Sequence, residues 1–428
     1  MPMRRLRVPP SLRAWGRRRA RRLAVAAERG LRAWERRPAA TRRHASVAVG
    51  LGLMAVLGLV ALSCAPRRPV PPPEPIYTPV SLQSVPGWAG DRLIEARPAL
   101  SRSCARLATL PPDRPMAPRG SAALRAVAGS VGDWQAACRR LDGVPADDAD
   151  AFRAALERGF RAYAVTSTDA SAHGLFTGYY EAHIHAARAP DARYRFPVYG
   201  PPDDLSVENG QGRHAATGDP YHSRAEIEDG ALEGKAPVLF WADDPVDLHI
   251  LHIQGSGQVT LPDGTGTRIG YAANNGRPFV GIGRLVSERG LADGRSMPAI
   301  RAWLRAHPEQ GRALMRENGR YIFFREITGA GPIGALGVPL TPLRSLAVDP
   351  AVLPLGSLVW LSTTDPGGRP LRRLMAAQDT GSAIKGINRG DVFWGAGEAA
   401  FQQAGRMASP GRTWLLVPRA PGTDPLMM

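Results

Sequence analysis

The 428-residue sequence holds only three cysteines, too few for a disulfide-built scaffold. Cys, His, Asp and Glu nowhere take the spacing of a zinc motif. His183 and His185 share one face of an extended segment, but no cysteine or acid completes a ligand set around them. His249 and His252 would share a face of a strand only across a bulge, so no metal is expected. No internal repeat is present, which excludes solenoids and propellers. Charge is also scarce where it would matter. Residues 1–43 carry fifteen Arg against Glu28 and Glu35, and with Arg67 and Arg68 they account for all but about two charges of the formal +17. The remainder is nearly neutral, so the high isoelectric point does not indicate a nucleic-acid partner.

Long apolar runs are limited to one, residues 45–63 (ASVAVGLGLMAVLGLVALS). It is uncharged and about the length that crosses a bilayer as a helix. Arginines on its N-terminal side hold that end in the cytoplasm, so the rest of the chain is expected to be exported. The run closes on Ala61-Leu62-Ser63-Cys64, which resembles the lipidation box of bacterial lipoproteins, although that pattern prefers a large aliphatic residue where Ala61 stands. Cys64 is therefore the expected lipid-bearing residue, with an uncleaved single-helix anchor in the inner membrane as the alternative. Ala65 after it, rather than Asp, favours an outer-membrane lipoprotein facing the periplasm. A Pro-rich linker follows over residues 65–85. If Cys64 carries lipid, Cys104 and Cys138 remain, and an oxidising compartment favours a disulfide between them over two free thiols.

Texture divides the rest. Residues 90–165 read as helical, with apolar spacing over 119–140 and an acidic cluster opening 145–165. Residues 174–283 alternate short apolar runs with turn residues, which predicts strands, the run LHILHIQGSGQVTL among them. A helical pattern returns over 296–318, broken at Pro308. Strands are predicted over 321–327, 340–348, 357–361, 371–377, 392–394 and 412–417.

The richest segment is 376–395, AAQDTGSAIKGINRGDVFWG. Glycines flank Asp379 and Asp391, so backbone can approach a ligand and carboxylates can project from turns. Asp391 precedes Val392-Phe393-Trp394, apolar neighbours that would raise its pKa as a general acid requires. Read alone, the spacing favours both acids as ordinary turn formers.

Several phrases decide between these readings. They are Thr177-Gly178-Tyr179-Tyr180-Glu181, Ile253-Gln254-Gly255-Ser256-Gly257, Asp263-Gly264, Tyr271 with Asn275-Gly276, and Gly281-Ile282-Gly283-Arg284. A second block follows: Gly337-Val338-Pro339-Leu340-Thr341-Pro342, Arg344-Ser345-Leu346-Ala347-Val348-Asp349, Leu355-Gly356, Gln378-Asp379-Thr380-Gly381 and Gly390-Asp391. In this order, over residues 86–418, the chain resembles the membrane-bound lytic murein transglycosylase A family.

The resemblance implies a mainly β fold with N-terminal helices: a double-psi β-barrel domain, an inserted second β-domain, and a groove between them. The implied division is a basic and apolar anchor (1–64), linker (65–85), helical part of the barrel domain (86–179), insertion (180–319), catalytic barrel part (320–418) and tail (419–428). Ala383-Ile384-Lys385-Gly386 matches the family motif, so Asp379 is its first aspartate and Asp391 the second, catalytic one. The activity implied is cleavage of the β-1,4 bond between N-acetylmuramic acid and N-acetylglucosamine in peptidoglycan, without water and without a cofactor. Burial beside Phe393 and Trp394 would keep Asp391 protonated, and Lys385 is expected to point elsewhere. Asp379 would orient the loop or contact sugar. Tyr179 and Tyr180 are candidate sugar platforms, one of the two more suited to the core. Gln254 and Ser256 are candidate hydrogen-bonding residues, or simple turn residues. Two other readings remain: a hydrolytic muramidase with Glu181 or Asp349 as second carboxylate, and a non-catalytic peptidoglycan-binding scaffold.

Overall fold

The structure is a computed structural model describing residues 73–169, 174–208, 210–329 and 331–419. The apolar run 45–63 and Cys64 lie outside the described residues, and no helix among those described is long and apolar enough to cross a membrane.

The first element is strand β1 (Pro75–Val80), which occupies part of the expected linker. Four helices follow: α1 (Arg97–Ala108), α2 (Ala122–Ala128), α3 (Val131–Asp142) and α4 (Ala149–Gly159). The helical pattern over 119–140 is therefore two helices. Gly129, at φ +67°, ends the first, and a capping box between Ser130 and Asp133 starts the second. Asp148 caps α4 by accepting from the Ala151 amide. The helical expectation then ends early, because β2 (Phe160–Ser167) alternates buried and part-exposed residues as a strand. Cys104 of α1 and Cys138 of α3 are joined by a disulfide, with Cα atoms 5.6 Å apart.

The next part contains β3 (Gly174–Ala187), β4 (Phe196–Tyr199), β5 (Leu205–Glu208), β6 (Gln211–His214), α5 (Arg224–Glu228) and β7 (Val238–Ala242). Here one expectation fails. Residues 248–254 belong to helix α6 (Pro245–Gln254), not to a strand. Asp244 accepts from the Val246 and Asp247 amides, Pro245 opens the helix, and Gly255 at φ +79° ends it. His249 and His252 are thus three apart on a helix and buried, with no bulge involved.

Then come β8 (Ser256–Thr260), β9 (Gly266–Asn274), α7 (Ile282–Glu288), α8 (Met297–Ala306), α9 (Pro308–Arg316) and β10 (Ile322–Ile327), with the break at Pro308 present. The last part holds β11 (Ser345–Val348), β12 (Leu358–Thr364), β13 (Pro370–Asp379), β14 (Gly390–Ala396), α10 (Gly397–Ala404) and β15 (Ala408–Pro418). Of the expected strand 340–348 only the end is extended.

The main sheet runs β1-β2-β15-β12-β13-β11-β14-β3-β8-β9-β10 and mixes parallel with antiparallel pairs. β3 is the seam. Its first half pairs with β14 and β15, and its second half with β8 and then β7. Two large cores correspond to the two halves. One packs Trp360, Leu374, Val392 and Leu415 against the N-terminal helices, and the other packs Ile184, Phe240, Ile250 and Phe324. Trp394 touches both.

Candidate active site

The site lies where β3 passes from one core to the other. Four strands place four residues in one row. Asp379 on β13 is opposite Ala347 on β11, Ala347 is opposite Asp391 on β14, and Asp391 is opposite Thr177 on β3. Residues in register across a sheet project from the same face, which puts Thr177 beside Asp391, and past a register shift between Leu346 and Ala347 both aspartates and Ala347 line one cavity. Two strand spacings separate the acids, about 10 Å between their backbones. The methyl group of Ala347 leaves the space between them open.

Asp391 is partly buried. Thr177 Oγ1 donates to its Oδ1 at 2.7 Å, which leaves Oδ2 to carry the proton. Burial pushes the Asp391 pKa up to about 6, with Asp379 adding to the rise; the Thr177 hydroxyl and the Arg389 guanidinium pull the other way. Phe393 shares the Asp391 face, because residues two apart in a strand do, and its ring lies 5.3 Å from that of Tyr179. Trp394 takes the opposite face, where a side chain on Gly178 would meet its Nε1 at 2.6 Å. Of the two aromatics expected to desolvate Asp391, only Phe393 faces it.

Asp379 is held by the amides of Ala335 and Thr380, each donating to Oδ1 at 2.9 Å. Its pKa is also raised by burial, against those two amides and the Tyr179 hydroxyl. The Tyr179 hydroxyl is buried against Asp379 and near Asp391, and burial with the two carboxylates keeps its proton on. Lys385 points away, its Nζ 3.9 Å from Asp349 Oδ1 and its side chain largely exposed.

These groups open onto a cavity of about 300 Å³. Its walls include Tyr179, Tyr180, Gln254, Phe279, Arg295, Ile384 and both aspartates. Tyr180 is the core member of its pair, 7% exposed with its ring 5.3 Å from Phe401. Gln254 accepts from the Tyr180 amide at 3.1 Å, a use of its carbonyl that leaves its NH2 for a ligand. Ser256 is not among the lining residues; it sits in β8 opposite Gly270. Glu181 is buried, and Arg268 at 3.0 Å and Gln258 at 2.9 Å occupy its carboxylate. Asp349 accepts from the Gly386 amide at 2.8 Å outside the cavity. Among the described residues no group of His, Cys, Asp and Glu is arranged to hold a metal ion.

Thr177 and Arg295 were not among the residues singled out from sequence. Thr177 lies within a quoted phrase, but only strand register brings it to Asp391, 214 positions away.

A family model described as "MltA specific insert domain" matches residues 175–325, and one described as "3D domain" matches residues 344–417. A membrane-bound lytic murein transglycosylase A of Vibrio cholerae is 34% identical over 269 residues, 60% of this chain and 69% of the relative. The chain belongs to the membrane-bound lytic murein transglycosylase A family. Solved structures of this transglycosylase family superimpose on it. MltA from Neisseria gonorrhoeae is 33% identical with a TM-score of 0.67, covering 82% of this chain and 94% of that one. MltA of E. coli with bound chitohexaose is 26% identical with a TM-score of 0.57, covering 80% and 95%. Like its relatives in the transglycosylase A family, the chain combines a mixed β-sheet with several helices.

Proposed function

We propose that this protein is a peptidoglycan lytic transglycosylase in which Asp391 is the single acid and then base. The observation that carries the reading is Asp391 itself: a carboxyl with its pKa pushed up to about 6 by burial, in a cavity wall and with one oxygen already fixed by Thr177. Such a group holds its proton below about pH 6, well above the range of an ordinary aspartate. It gives its proton to the oxygen bridging muramoyl C1 and the next N-acetylglucosamine as that C1–O bond breaks. The muramoyl C6 hydroxyl closes on C1, forming a C1–O6 bond, and its proton passes back to Asp391. Atoms balance without water, and the product end is 1,6-anhydromuramoyl. An internal nucleophile supplies the proximity that a second carboxylate would otherwise have to arrange.

Asp379 acts in positioning, since both its amide donors lie in loops beside the cavity. Tyr179 and Phe279 offer apolar surface to sugar, and Gln254 offers an amide. The hydrolytic alternative loses support because Glu181 is paired with Arg268 and Asp349 lies outside the cavity. A scaffold has no use for an acid desolvated in its groove.

The chain crossing at β3 and the family match over 175–325 support a double-psi barrel with an inserted β-domain, the groove lying along their seam. Relatives named as membrane-bound, together with residues 45–64, support attachment in the cell envelope by lipid at Cys64, facing the periplasm. The test is mass analysis of murein digested by the protein. Anhydro ends, one water lighter than hydrolytic ends, are expected, and Asp391→Asn should lower their release by at least about 10²-fold. Reducing ends, or an active Asp391→Asn enzyme, would overturn the mechanism.

A further inference from the structure

Arg295 stands apart from most of its neighbours. Arg284, Arg289, Arg301, Arg305 and Arg316, on or beside the same three helices, each reach a carboxylate within 4.0 Å, whereas Arg312, outside the cavity wall, reaches none among the described residues. Among the described residues Arg295 has no such partner, and it is the one cation in the cavity wall. Its backbone is held. The Asp293 carboxylate accepts from the Arg295 amide at 3.0 Å, Ser296 caps α8 by accepting from the Ala299 amide, and Gly294 packs on Gly283 so closely that a Cβ on Gly294 would stand 2.0 Å from the Gly283 carbonyl. A charged side chain is thus presented at the groove from a fixed base, with its five donors unengaged. A guanidinium in that state matches a carboxylate in two-point geometry.

A glycan strand of alternating amino sugars is neutral along its backbone. Its anionic groups sit on the muramoyl substituent: the carboxylates of an attached peptide, or the lactyl carboxylate once the peptide is removed. We infer that Arg295 is a specificity residue that binds a carboxylate of the muramoyl substituent and so favours muramoyl-bearing strands over neutral N-acetylglucosamine oligomers. This rests on the reading of the groove as a murein site.

The test compares wild type, Arg295→Gln and Arg295→Lys on three probes. They are soluble uncrosslinked strands with peptides, the same strands after amidase treatment, which leaves only lactyl carboxylates, and neutral chitohexaose for binding alone. Losing one charge-assisted contact should raise KM about tenfold or more for Arg295→Gln on at least one anionic strand. Turnover at saturation should change far less, Arg295→Lys should recover part of the loss, and the chitohexaose Kd should stay within about twofold, well under the tenfold effect of the lost contact. A loss confined to untreated strands identifies the peptide carboxylates, and one confined to treated strands identifies the lactyl group. Unchanged KM on both strands, or an equal loss for chitohexaose, would overturn the inference. If wild type released no anhydro ends while Arg295 still discriminated among the three probes in binding, the activity reading would fail and the inference would stand.

Discussion

At the residue scale the chemistry depends on one proton. Asp391 must hold it to act as acid, and burial raises its pKa from 3.8 to about 6. Its rate contribution should therefore fall as pH rises through about 6, seen as the descending limb of kcat/KM against pH. Thr177 favours the ionised form by donating to it. Thr177→Val keeps the shape and removes that donor, so the limb should move to higher pH while the fold persists. An unmoved limb would show that the hydroxyl does not tune the acid. The same shift has a stability consequence with a definite sign. The native state binds this proton more tightly than the unfolded chain, so the contribution is fully present below about pH 3.8 and is lost as pH rises through about 6. Asp391→Asn should accordingly melt higher than wild type at pH 7.5, with the gap closing below pH 4.

At the scale of elements, the disulfide ties α1 to α3 across 34 positions. Cys104→Ser with Cys138→Ser should lower unfolding free energy by roughly 3–4 kcal/mol, read from denaturant midpoints. No change on breaking the link would mean the pairing contributes nothing to folding. The elements also show where sequence patterning is ambiguous. Residues 248–252 of α6 are all buried, His249 and His252 included, so no exposed polar face marks an amphipathic period that would distinguish a helix from a strand. The decisive signals were its ends, Asp244-Pro245 and Gly255. The strand at 160–167 was masked by its position directly after a helix, with Phe160 serving as the end of one and the start of the other.

Across the whole molecule, Arg344 links parts of the chain 253 positions apart. Its guanidinium forks onto Asp91 at 2.7 and 2.9 Å and reaches Glu95 at 2.8 Å, with Arg344 and Asp91 both buried. Arg344→Met leaves Asp91 buried without its cation and should cost about 3–5 kcal/mol, measured by urea unfolding. Adding Asp91→Leu should restore much of that, because the remaining penalty is an unpaired charge. A single variant within about 1 kcal/mol of wild type would show that the pair is not structural, given that exposed pairs contribute at that level.

The two aspartates and the apolar run after Asp391 are legible in the sequence because they are local in the chain, the cysteine pair because few cysteines are present, and the family because its phrases keep their order. Turn glycines, a carboxylate beside aromatics and capping residues act over a few positions and can be read there. The tertiary structure alone decided that Thr177 reaches Asp391, that Ala347 lies between the acids, and that Trp394 turns away while Phe393 faces inward. It also committed Glu181 to Arg268, removed Ser256 from the cavity and brought Arg295 into it. Apart from Arg295, which a loop before α8 carries into the cavity, each of these depends on strand register, and a slip of one residue would reverse every face along the row.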